Sequence, residues 1–82
     1  MSQEKVIVEL PVELVADKSG WYAARVPGVP TCAQGKTEEA AIRKLRNAIR
    51  LYADQVGRDV MLALVRSDTN HPFKKFDLPP EP

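Results

Sequence analysis

Cysteine occurs once, at Cys32, and histidine once, at His71. A lone thiol closes no internal disulfide, and two metal ligands so far apart in the chain do not compose a structural metal site. Net charge is almost absent: twelve Lys and Arg stand against eleven Asp and Glu, a formal +1. So balanced a chain carries no overall pull toward nucleic acid or an anionic membrane. No apolar run approaches the roughly 20 residues of a membrane span. The opening MSQEKVIVEL mixes Glu4, Lys5 and Glu9 with a short apolar run and does not read as a secretory signal. A lone thiol with no export signal points to the cytoplasm. Core is also scarce. An 82-residue chain buries only about 60–65% of its unfolded surface. With neither disulfide nor metal, self-association into a dimer or tetramer is the expected support.

The chain does contain Gly35-Lys36-Thr37, the triplet that closes a nucleotide-binding phosphate loop. That loop needs a glycine five residues earlier, so that backbone N–H groups can wrap the phosphates. Pro30 stands there instead, with no N–H to offer and a fixed φ. Gly28 comes two positions too early and follows a second proline, Pro27. The triplet reads better as a tight turn at Gly35, a solvated Lys36 and a helix N-cap at Thr37.

Periodicity supplies the elements. In KVIVELPVELVA, Val6, Val8, Leu10, Val12 and Leu14 share one face, and Lys5, Glu9, Pro11 and Glu13 the other, with Ile7 and Val15 as apolar exceptions there. This pattern is a half-buried strand. Pro11 requires an edge position or a bulge. Asp17–Gly20 is a turn, and Trp21–Val26 is the returning strand of a hairpin, broken by Pro27–Pro30. The short TCAQG segment is a candidate third strand. A helix is expected from Glu38 to Val56: Thr37 caps it and Glu38 and Glu39 oppose the positive dipole end. At about 100° per residue, Ala41, Ile42, Leu45, Ala48, Ile49, Tyr52, Ala53 and Val56 fall in an arc of about 140° that faces the sheet. Gly57 stops the helix. The apolar run Val60–Val65 is short and bounded by valines, so a strand buried on both faces is expected there. One of those faces is assigned to a second subunit, through Val60, Leu62 and Leu64. The end of the chain, with four prolines from Pro72 onward, is expected to be extended and mobile.

No catalytic set emerges. Cys32 has no base at a fixed spacing and behaves as a small hydrophobe. The acids are dispersed among a turn (Asp17), a helix cap (Glu38, Glu39), a strand's polar face (Glu9, Glu13) and an Arg50–Asp54 pair on the helix. Trp21 and Tyr22 lack the further aromatic at strand spacing that a base-stacking platform needs. Arg43, Arg46 and Arg50 cluster within about 60° on the face opposite the core. The simpler reading is a solvated face with Glu39–Arg43 and Asp54–Arg50 pairs. The functional reading is a patch for RNA phosphates or an acidic partner.

The order of these features carries a resemblance. Gly20, Trp21, Tyr22, Pro27, Pro30, Cys32, Gln34, Gly35, Thr37, Ala41, Ala48 and Tyr52 follow one pattern. It runs from an aromatic strand through a proline-bounded turn and a small segment bearing cysteine to Gly-x-Thr opening an alanine-spaced helix. The stretch from Gly20 to Tyr52 resembles the HicB-type antitoxin family. The resemblance implies an α+β domain of order β-β-β-α-β, a small antiparallel sheet with one helix on one face, akin to a partial ribonuclease-H fold without its catalytic acids. It spans residues 1–66, followed by a proline-rich tail at 67–82. The resemblance also implies a non-enzymatic, oligomeric protein with no cofactor or metal, which neutralises a small HicA-type ribonuclease toxin by covering its active site. The alternative is an orphan domain of the same kind that binds RNA or a small ligand. Family members often carry a C-terminal DNA-binding segment, but nothing after Val65 is long enough for one, so operator binding is not expected. Ala40 also stands where the family often has the glutamate of a capping box.

Overall fold

Where the first alternating run meets Pro11 and Val12, the chain changes partner. In the computed structural model, which describes residues 6–66 and 70–78, that run is two strands, β1 (Val6–Pro11) and β2 (Glu13–Ala16). The expected inward set holds, with Leu10 and Val12 buried and Val6, Val8 and Leu14 partly so, but Pro11, assigned to the polar face, is fully buried as well. β2 pairs antiparallel with β3 (Tyr22–Arg25), joining Glu13 to Arg25 and Ala16 to Tyr22. The turn between them is held by Asp17, whose carboxylate accepts from the Lys18 N–H at 2.6 Å and the Ser19 hydroxyl at 3.1 Å. β4 (Ala33–Gly35) adds antiparallel to β3 and completes a three-stranded sheet of order β2-β3-β4.

Helix α1 runs from Glu38 to Val56, the span expected from sequence. The Thr37 hydroxyl accepts from the Ala40 N–H at 3.0 Å, satisfying one of the donors that a helix start leaves unpaired. Ala41, Ile42, Leu45, Ile49 and Ala53 are buried, and Val56, at the end of the arc, is exposed.

Two of the expected elements differ. Val60–Val65 is no strand: α2 spans Arg58–Leu64, so Val60, Leu62 and Leu64 cannot form a strand shared with a second subunit. Helix propensity decides it. Met61, Leu62, Ala63 and Leu64 are all good helix formers, and Asp59 lies in the first turn, where the dipole favours an acid. Gly57 joins the two helices. Its N–H donates to the Ala53 carbonyl at 2.9 Å and its carbonyl accepts from the Met61 N–H at 3.0 Å. Its φ of +99° is one that a side chain would oppose.

The second difference lies in the tail. Phe73–Leu78 forms a strand, β5, paired antiparallel with β1 from Pro11↔Phe73 to Val6↔Leu78. Phe76 and Leu78 are fully buried in the same core as Leu45, Ile49 and Met61. The packed unit therefore continues well past residue 66. The remainder of the expected tail, residues 67–69 and 79–82, lies outside the described residues, as does Lys5 at the start of the first run.

The fold is α+β, with five strands in two antiparallel sheets and two helices. α1 packs against β3, β4, β5 and α2, which makes it the spine of the core. Pro11 takes the edge reading rather than the bulge. The Val12 N–H donates to the Pro72 carbonyl at 2.9 Å, so the adjoining Pro11↔Phe73 pair is a non-hydrogen-bonded one. Its missing N–H would have pointed away from β5, and the ladder loses nothing.

Candidate functional site

Gly35, Lys36 and Thr37 do not build a phosphate cradle. Gly35 is buried where β4 passes beneath the start of α1, and a Cβ there would lie 2.6 Å from the Ala41 nitrogen and 2.8 Å from the Ala40 carbonyl carbon. Its backbone does not take a positive φ. The glycine is required for this close approach and not for a tight turn. The Lys36 ammonium sits 5.7 Å from the centre of the Trp21 ring, a cation–π contact in place of the fully solvated lysine expected.

The three arginines of α1 separate on inspection. All are exposed. Arg43 and Arg46 line an open groove of about 400 Å³ together with Glu39, Ile42 and Lys74. Arg50 turns elsewhere and donates to the Asn47 side chain at 3.1 Å, not to Asp54. Arg43 makes no ion pair among the described residues, so the expected Glu39–Arg43 bridge is not formed. The Arg46 Nε donates to the Lys75 carbonyl at 2.9 Å, and its guanidinium lies 6.0 Å from the centre of the Phe76 ring.

The groove thus has an apolar floor at Ile42, a β-strand along one wall, a helix along the other, and three cations against one carboxylate. Such a site can bind and orient an anionic group. Lys74 is the member that sequence reasoning missed, because it belongs to the segment set aside as tail. The alternation in FKKFDL, with Phe76 and Leu78 two residues apart, was the available signal.

Other polar groups form a smaller constellation on the outer face of β2 and β3. The Arg25 guanidinium pairs with Glu13 across the strands, and His71 Nε2 lies 4.0 Å from the same carboxylate. These groups are partly solvated, and such pairs contribute only about 0–1 kcal/mol. Cys32 is exposed, not the semi-buried hydrophobe expected. Among the described residues, no three His, Cys, Asp or Glu side chains gather where a metal ion could sit, and no helix is long and apolar enough to cross a membrane.

The fold is that of a small α+β protein, and among the described residues the groove gathers Arg43, Arg46 and Lys74. The UPF0150 protein Ta0767 of Thermoplasma acidophilum is 37% identical to this chain over 46 residues, which are 55% of this chain and 67% of that protein. On that similarity the chain belongs to the UPF0150 family. No protein-family model matches it, and no solved structure matches it with significance.

Proposed function

We propose that this protein is a non-catalytic, oligomeric binding module of the HicB-like antitoxin kind, which neutralises a small HicA-type ribonuclease toxin by covering its active site. One observation carries the reading. The stretch from Gly20 to Tyr52, which bears the resemblance, folds as a continuous unit in the order that resemblance requires: Tyr22–Arg25, Ala33–Gly35, then the Thr37-capped helix. Membership of the UPF0150 family accords with it.

The test is co-expression with the product of the neighbouring small gene. The expected result is a stable complex on co-purification, relief of growth arrest, and no RNA cleavage by the purified protein with or without divalent metal. Absence of a complex together with persisting toxicity would remove the antitoxin reading. What would then remain is the orphan domain, engaging RNA or a small ligand through its arginine face.

A further inference from the structure

Antiparallel ladders alternate, so a residue that turns its N–H and C=O toward one neighbour is followed by one that turns them away. The Val12 N–H to Pro72 carbonyl bond fixes the phase of this ladder. Counting along the register, Leu10/Lys74, Val8/Phe76 and Val6/Leu78 bond across it. Phe73, Lys75 and Asp77 then turn their N–H and C=O to the far edge of β5. The Arg46 bond to the Lys75 carbonyl agrees with this direction. Among the described residues, β5 pairs with no strand but β1.

We propose that the groove between α1 and this far edge of β5 is the docking site for an extended, acidic segment of a partner protein. The segment adds to β5 as a strand. Its backbone bonds the outward groups of Phe73, Lys75 and Asp77, and alternate side chains, about 6.6–6.8 Å apart, place carboxylates by Arg43, Arg46 and Lys74 over the Ile42 floor. In the free protein Arg46 covers the edge by holding the Lys75 carbonyl, a guard against indiscriminate pairing. An incoming backbone N–H takes over that carbonyl and releases the guanidinium to a carboxylate, with which it makes the stronger, charge-assisted bond.

Charge selects the occupant. A second copy of β5 is disfavoured by its cations: two-fold pairing about Lys75 sets Lys75 against Lys75, and pairing about Phe76, although it joins Lys75 to Asp77, still draws both copies of Lys74 and Arg46 along one seam. RNA would find cations, but no exposed ring lines the groove for stacking. Phe76 is buried, and Glu39 stands among the lining residues. The proposal rests on the binding-module reading only in that a protein partner is bound; it does not require that partner to be a toxin.

The test titrates the isotope-labelled full chain with an acetylated, amidated hexapeptide alternating Thr and Glu. The alternating Thr and Lys peptide and hexauridylate serve as competitors. The acidic peptide is expected to bind saturably and to slow amide exchange at Lys75 and Asp77. Arg43→Glu and Lys74→Glu should each weaken binding about tenfold or more. Arg50→Glu, on the same helix but outside the groove, should leave it unchanged. The proposal is overturned if the peptide does not bind, if Arg50→Glu weakens it as much as Arg43→Glu, if the β5 amides exchange as before, or if uridylate displaces it. Co-expression separates the two readings. A wild-type chain that neutralises a toxin but does not bind the peptide sinks the groove and spares the antitoxin. A wild-type chain that binds the peptide but neutralises nothing does the reverse.

Discussion

At Gly35 the missing side chain is itself the structural requirement. β4 approaches the first turn of α1 so closely that a methyl group would meet backbone atoms, the Ala41 nitrogen at 2.6 Å and the Ala40 carbonyl carbon at 2.8 Å, and backbone cannot rotate aside as a long side chain could. Gly35→Ala is therefore expected to cost about 1–3 kcal/mol, the usual range for overpacking, read as a lowered midpoint in thermal or urea unfolding. The neighbouring cap acts differently. Thr37 supplies one acceptor to the Ala40 N–H at 3.0 Å, so Thr37→Ala should cost about 1 kcal/mol and Thr37→Ser should restore most of it. If alanine and serine prove equally stable, the hydroxyl is not what starts this helix. Lys36 shows the limit of reading residues singly. Its position in the triplet suggested solvent, and only the pairing of Tyr22 with Gly35 brings it to the Trp21 ring.

Among the elements, those set by local chemistry were legible and those set by tertiary partners were not. α1 announced itself through a cap, acids in the first turn, an apolar arc and a closing glycine, and its ends fall where those signals put them. α2 did not, because a six-residue apolar run fits a buried strand and a helix equally well by periodicity. The deciding facts are the helix propensity of Met61–Leu64 and the Gly57 carbonyl that receives the Met61 N–H. β5 was hidden by the prolines that flank it in sequence, Pro72 before it and Pro79 and Pro80 after it. The alternation that buries Phe76 and Leu78 lies within Phe73–Leu78, and its pairing partner is more than sixty residues away at the start of the chain. The candidate groove was half legible for the same reason: Arg43 and Arg46 stand on a visible helix, whereas Lys74 stands on a strand that only tertiary pairing reveals. A chain ended at residue 66 loses Phe76 and Leu78, both fully buried, and leaves the inner faces of β1 and α1 uncovered. Removing one large buried side chain costs about 2–5 kcal/mol, and a small domain is stable by only about 5–15 kcal/mol in all. Such a truncation should fail to fold, showing collapsed amide dispersion and no cooperative melt. The single change Phe76→Ala should destabilise the full chain by about 3–5 kcal/mol.

For the molecule as a whole, the question is what covers the apolar surface that α2 leaves in solvent. Val60 is 54% exposed and Leu64 is 40% exposed, and residues four apart lie on one helix face. Of the other large apolar residues of α2, Met61 is buried and Leu62 partly so, so the outward pair is not required by the core of a single chain. Self-association through this helix face is the prediction that follows from the small core and the exposed pair. The β5 edge is a poorer alternative, since it would draw both copies of Lys74 and Arg46 along one seam. The expected outcome in light scattering is a particle of twice the mass of one chain, reduced to one chain by Leu64→Lys with little loss of helical signal, because the side chain lies outside the core. A wild-type chain that scatters as a monomer at micromolar concentration would contradict this arrangement. So would a Leu64→Lys dimer as tight as the parent, which would place the contact elsewhere. Because α2 and the α1–β5 groove use different residues, the same variant should still bind the acidic peptide with parental affinity.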